Sequence, residues 1–313
     1  MHNLNRRHFI KAAAGAAALA AASGLEGEGA VAPAADGLTA TWVNQYTYVA
    51  PDLKKTRDWY HEVFDMQIGH EEPKSSHMWY GDRGDTLMII RQAEAGEQAP
   101  RIHKFGFTVD YWDSKAVETE LKRRGLQPKS DTKKGFWFND PEGNEIGVFA
   151  RDYAQRPAPA SQKPALWKAV SANHIVALSP DYKKLGSWYR DLLNLRQTTD
   201  AGRDVYLWFG PSVWIPTTIG QGGKSSAALK TLDHVAYTIM PYDAEQVYAE
   251  LHRRKMIADT LNIPATGLGR LGPDCVDINN FKTQICDIML VPGSDNNRSN
   301  PDGGRGTRGQ RRP

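Results

Sequence analysis

Asn44-Gln45-Tyr46-Thr47-Tyr48-Val49-Ala50-Pro51-Asp52 returns, 129 positions later, as Asn173-His174-Ile175-Val176-Ala177-Leu178-Ser179-Pro180-Asp181. Both are runs of β-forming residues that end in Pro-Asp, the punctuation that closes a strand and caps a helix. The offset persists: Lys54-Lys55 falls on Lys183-Lys184, Trp59-Tyr60 on Trp188-Tyr189, and Trp79-Tyr80-Gly81 on Trp208-Phe209-Gly210. A second pair of segments repeats with an offset of 130. Phe107-Thr108 matches Tyr237-Thr238, and Val117-Glu118-Thr119-Glu120-Leu121-Lys122-Arg123-Arg124 matches Val247-Tyr248-Ala249-Glu250-Leu251-His252-Arg253-Arg254. A fixed internal period of this length reads as a duplication.

Within one copy the strand leads into a helix whose Leu53, Thr56, Trp59, Tyr60, Val63 and Phe64 recur at helical spacing, so they form one buried stripe. Short strands follow at Met78 to Tyr80 and Thr86 to Arg91. The pattern then restarts: strand Lys104 to Val109, helix Asp113 to Arg124, and strands around Phe136-Trp137-Phe138 and Glu145 to Phe149. The reading is α+β, with four βαβββ units forming two modules with cupped mixed sheets. The expected boundaries are an export signal and short linker at 1–36, module one at 37–153, a Pro/Ala linker at 154–166, module two at 167–292, and a disordered basic tail at 293–313.

Composition supports a soluble globular chain of about two domains: 313 residues, 40% hydrophobic and 24% charged. The tail carries five arginines against Asp295 and Asp302, a charge of +3, which equals the formal net charge of the whole chain. The remainder is neutral, so no folded basic surface for nucleic acid is expected. Lys122-Arg123-Arg124 and Arg253-Arg254 each close a helix, where cations meet the negative end of the dipole. At the start, Asn5-Arg6-Arg7-His8-Phe9-Ile10-Lys11 precedes an alanine-rich run, Ala12 to Ala22, with small-residue cleavage sites at Ala20-Ala21-Ala22 or Ala32-Pro33-Ala34. This resembles a twin-arginine signal and places the mature protein in the periplasm or outside the cell. The apolar run is too short to span a bilayer, so no stable membrane anchor is expected.

Three segments carry a family resemblance: Pro51-Asp52-Leu53-Lys54-Lys55-Thr56-Arg57-Asp58-Trp59-Tyr60, Gly135-Phe136-Trp137-Phe138-Asn139-Asp140-Pro141-Glu142-Gly143-Asn144 and Leu232-Asp233-His234-Val235-Ala236-Tyr237. They resemble the vicinal-oxygen-chelate superfamily of glyoxalase I, bleomycin and fosfomycin resistance proteins and type I extradiol dioxygenases. In that superfamily, inward side chains on the first and last strands of each unit commonly hold a divalent metal. Carried over position by position, the resemblance implies a metal site of His174, His234 and Gln284 in module two. Gln284 stands where the family usually has Glu, and it depends on aligning Asp277 to Phe281 with Asp140 to Asn144. A two-residue shift would bring Cys286 or Asp287 there instead. The same positions in module one are Gln45, Lys104 and Gly147, an unsuitable set that implies a metal-free module.

Two imidazoles and an oxygen donor suit Fe(II), Mn, Co, Ni or Zn with open positions for a small-molecule substrate. The implied activity is extradiol-dioxygenase-like or glyoxalase, isomerase or lyase chemistry; the alternative is a metal-free protein that sequesters a small molecule. Ring-cleaving relatives also use His and Tyr as acid/base groups, for which Tyr206 and Tyr237 are the candidates; Trp208, Trp214 and Tyr206 lie on strands that either face the cup as an aromatic wall or pack in the core. A homodimer is expected by analogy alone. Cys275 and Cys286 flank a hairpin and could face each other, and an oxidising compartment permits their disulfide.

Overall fold

In a computed structural model of the chain, the described residues are 38–81, 86–153, 165–200, 202, 204–209, 217–222, 232–257 and 271–287. All belong to one compact unit, Ala34–Pro313. The expected signal peptide, the tail, most of the linker and Trp214 lie outside them.

The chain folds as β1 Ala40–Ala50, helix α1 Leu53–Phe64, β2 Gln67–Glu72, β3 Ser75–Tyr80 and β4 Thr86–Gln92. It continues through β5 Arg101–Val109, α2 Ser114–Arg123, β6 Lys129–Thr132, β7 Gly135–Asn139 and β8 Glu145–Phe149. A third round follows: β9 Lys168–Ser179, α3 Tyr182–Leu193, β10 Arg196–Asp200, β11 Asp204–Trp208 and β12 Thr217–Gln221. The last comprises β13 Leu232–Met240, α4 Ala244–Arg253, β14 Leu271–Val276 and β15 Lys282–Cys286. Among the described residues this is a mixed α+β fold of strands with four helices. No helix among the described residues is long and apolar enough to cross a membrane.

Each helix starts for the same reason. Asp52, Asp113, Asp181 and Asp243 precede the four helices, and each carboxylate accepts from the backbone N–H three residues on, at 2.9, 2.7, 3.1 and 3.0 Å. Such a cap is worth about 1 kcal/mol. α1 and α3 stop at Asp65 and Asn194, both left-handed, with φ of 56° and 50°. The closing cations of α2 and α4 turn back as ion pairs to Glu120 and Glu250.

The strands form one sheet in the order β10-β11-β12-β9-β13-β5-β1-β4-β3-β2, with β15 and β14 beside β13, and β8, β7 and β6 beside β5. The two halves touch within the sheet at one register pair, Leu232 with Ile102. Side-chain packing ties them further. Tyr48 and Tyr60 of the first half donate to Asp277 Oδ2 at 2.6 and 3.0 Å, while Tyr189 of the second half donates to Asp140 Oδ2 at 2.9 Å. Each first helix thus lodges against the last hairpin turn of the other half. One apolar cluster runs through both, including Phe64, Phe105, Tyr189 and Tyr237.

Candidate functional site

His174 sits on β9 opposite Ala236 of β13, and His234 opposite Val176. Side chains alternate along a strand and directly paired residues share a face, so the two histidines point the same way. Their ring centroids are 5.6 Å apart. Gln284 of β15 pairs with Ala236 and joins that face, where its side chain hydrogen-bonds His174. The structure therefore brings together all three residues singled out as donors.

The turn before β15 sets this register. Asp277 Oδ1 accepts from Asn279 N and Phe281 N at 2.8 and 3.0 Å, as Asp140 Oδ1 accepts from Glu142 N and Asn144 N at 2.9 and 2.8 Å. The two turns are equivalent, which aligns Gln284 with Gly147. They also bear on the disulfide that the cysteine spacing permits. Cys275 lies opposite Thr283 and Cys286 opposite Leu271, and both are buried and not joined in a disulfide. The hairpin closes earlier than a midpoint between the cysteines requires.

Both rings are held through Nδ1. His174 Nδ1 lies 2.8 Å from Asn173 Oδ1, whose Nδ2 donates to Thr238; His234 Nδ1 lies 2.7 Å from Asp233 Oδ2. An oxygen acceptor at Nδ1 fixes the hydrogen there and leaves Nε2 with its lone pair. His234 Nε2 is buried with no partner. Complete burial, reinforced by His234, lowers the His174 pKa to about 3, so this ring is neutral. Burial alone would raise the Asp233 pKa, but hydrogen bonds from His234 and Lys282 prevail and hold it at about 2.

Tyr206 pairs with Thr218, and Thr218 with Val176, so Tyr206 shares the histidine face two strands away. Trp208 alternates onto that face as well. Thr218 Oγ1 and Trp208 Nε1 are, like His234 Nε2, buried without a hydrogen-bond partner. Unsatisfied polar atoms gathered on one face mark a place where a polar ligand would be favoured. Tyr237 is elsewhere: its ring packs 4.9 Å from Phe64, and its hydroxyl shares a 3.0 Å hydrogen bond with Tyr46. That is the buried core between the halves, so the expectation of Tyr237 beside the histidines is corrected.

In the first half, Gln45, Gly106 and Gly147 pair across β1, β5 and β8. The Lys104 ammonium lies 4.1 Å from the centre of the Trp137 ring. The Phe149 ring fills the space over Gly106, Gly135 and Gly147, against Trp137 and Tyr153. A cavity of about 350 Å³ nearby is lined by Arg101, His103, Lys129 and Glu145, among others. All of its lining residues belong to the first half.

The histidine face fits a divalent ion. Two Nε2 lone pairs and a carboxamide oxygen are competent donors, and the orphaned His234 nitrogen is a buried acceptor awaiting one. Among the described residues no three His, Cys, Asp or Glu gather as a metal cluster, so the third donor on offer is the neutral Gln284.

The described strands form one mixed sheet, and the histidine face lies on β9, β13 and β15. Residues 42–148 match the family model of the Glyoxalase/Bleomycin resistance protein/Dioxygenase superfamily, and residues 3–23 that of the twin-arginine translocation pathway signal sequence. Residues 42–148 thus carry a domain of this superfamily, behind a signal that exports the chain to the periplasm or beyond.

A search of curated proteins returns no match. Among solved structures, an anaerobic substrate complex of homoprotocatechuate 2,3-dioxygenase from Brevibacterium fuscum, with 3,4-dihydroxyphenylacetate, aligns with a TM-score of 0.64 at 16% identity, covering 85% of this chain and 86% of that one. A variant of the same dioxygenase gives a TM-score of 0.64 at 17% identity, covering 85% and 76%. The Mn(II)-bound glyoxalase from Novosphingobium aromaticivorans gives 0.60 at 19%, covering 80% and 83%. At these identities the likeness is one of fold.

Proposed function

We propose that the protein is an exported enzyme that uses a divalent metal, held by His174, His234 and Gln284, to act on a small organic substrate with two neighbouring oxygens. The observation that carries this reading is the pair of imidazoles 5.6 Å apart, each anchored through Nδ1. Structural neighbours that hold manganese or a catechol support it. A bound ion would supply Lewis-acid polarisation of the substrate oxygens. The chain's own residues do the rest: Asn173 and Asp233 orient the rings, Trp208 and the neighbouring strands keep water away, and Tyr206 stands on the same face as a candidate proton donor. Dioxygenation and glyoxalase, isomerase or lyase chemistry all fit this arrangement.

A second reading, a metal-free protein that sequesters a small molecule, is favoured by the neutral third donor and by its hydrogen bond to His174. Elemental analysis separates the two. Untagged protein is reconstituted with Fe(II) or Mn(II), with and without a catechol, beside the His174→Ala/His234→Ala double variant. Metal retained by the wild type under either condition and lost in the variant supports the enzyme; none retained under both leaves the binder.

A further inference from the structure

The donors on the histidine face carry no formal charge: two imidazoles and a carboxamide. Two carboxylates beside these donors, Asp233 and Asp274, are paired with Lys282. Asp233 Oδ2 takes both His234 Nδ1 at 2.7 Å and the Lys282 ammonium at 2.9 Å. Asp274, paired across from Gln284, lies 3.2 Å from the same ammonium. A divalent ion seated between the imidazoles would therefore keep its two positive charges uncompensated by any donor, beside two histidines that are almost wholly buried. Burying charge without a partner is expensive, and an anion entering with the metal removes the expense.

We infer that this site holds its metal only jointly with an anionic ligand that presents two adjacent oxygens, so that metal and ligand each raise the other's affinity. The inference rests on the metal reading above and narrows it. Gln284 sets the coupling, because a carboxylate in its place would supply the missing charge from the protein. Linkage makes the effect reciprocal: the factor by which the ligand tightens the metal equals the factor by which the metal tightens the ligand.

Equilibrium dialysis of Mn(II) against the full, untagged chain tests it, with oxalate as the anionic chelate and ethylene glycol as the neutral one. The His174→Ala/His234→Ala variant, run in parallel, subtracts the manganese that oxalate holds in solution. Expected is weak binding of Mn(II) alone, an affinity raised at least about tenfold by oxalate, within the usual range of coupling between sites, and no change with ethylene glycol. Gln284→Glu should bind Mn(II) about tenfold tighter without oxalate and lose most of the coupling. Wild-type protein that binds Mn(II) equally well with and without oxalate overturns the inference and leaves the metal reading standing. Absence of bound manganese in every condition overturns both.

Discussion

The Phe149 ring occupies the space that a side chain at Gly147 would need: an ideal β-carbon on Gly147 falls 2.5 Å from Phe149 Cε2. Carbon atoms in contact sit at about 3.5–4.0 Å, so the pair has no room to spare. The same ring lies 2.3 Å from the β-carbon position of Gly106 and 2.5 Å from that of Gly135. Gly147→Ala should cost about 1–3 kcal/mol by overpacking, read as a lower urea midpoint. Phe149→Leu in the same chain should recover part of that loss, because the two substitutions act on one space and do not add. An unchanged midpoint for Gly147→Ala would place the ring elsewhere.

Asp277 and Asp140 clasp the two halves. Asp277 accepts from Tyr48, Tyr60 and two backbone amides, and Asp140 from Tyr189, Asn144 and two backbone amides. Removing either carboxylate strands several buried donors at once. Asp277→Ala and Asp140→Ala should each cost about 3 kcal/mol or more, whereas Tyr189→Phe, which loses one hydrogen bond to a charged group, should cost about 1.5–3 kcal/mol. Chemical denaturation of the three variants checks the ranking.

Glu250 supplies a pH dependence. Hydrogen bonds from Arg253 and then Arg254 lower its pKa to about 2, from the usual 4.5. A depressed folded-state value means stability that is present above pH 4.5 and lost as pH falls through that window toward 2. Solvent reaches the arginines, so about 1 kcal/mol is a reasonable size after screening. The stability gap between wild type and Glu250→Gln should be constant near neutrality and close progressively below pH 4.5. A gap that persists unchanged at pH 2.5 would mean that the carboxylate gains nothing from its charge.

The two tyrosines considered as acid/base groups should behave oppositely. Tyr237→Phe deletes the hydroxyl bonded to Tyr46 and should cost about 1 kcal/mol of stability while leaving manganese and oxalate binding unchanged. Tyr206→Phe, on a half-buried strand position of the histidine face, should leave stability within about 0.5 kcal/mol and instead slow turnover of a catechol or α-hydroxyketone substrate. Thermal melts beside turnover assays separate the two outcomes.

Much of this was legible in the sequence, because the duplicated strand-Pro-Asp-helix pattern dictates local structure through capping and alternation. His174, His234 and Gln284 came from the family resemblance, carried over position by position, and their shared face follows from strand alternation. Some misses were avoidable. His234 and Tyr237 are three residues apart on one strand, and a period of two puts them on opposite faces. The glycines at 106, 135 and 147, each interior to or opening a strand, signalled a close approach that the Phe149 ring makes. Other features had no local signal. β2 and β6 are mostly exposed polar edge strands, formed because neighbours β3 and β7 offer hydrogen bonds. The Asp277 clasp joins residues more than two hundred positions apart, and no periodicity encodes such a contact.

Asp233 tests the site at its most specific point. Its carboxylate fixes the hydrogen on His234 Nδ1 and is itself steadied by Lys282, so the lone pair on Nε2 depends on a charged neighbour. Asp233→Asn keeps the shape and removes the charge. Manganese affinity measured with oxalate should fall about 10–100-fold, the usual cost of losing such an outer partner, and Asp233→Glu should restore part of it. Imidazole nitrogen NMR should show His234 losing its preference for the Nδ1–H tautomer in Asp233→Leu, which has no acceptor, while Asp233→Asn keeps it, as Asn173 does for His174. A merely structural role would lower stability without lowering manganese affinity in Asp233→Asn, and an unchanged affinity there with an unchanged tautomer in Asp233→Leu would remove Asp233 from the site altogether.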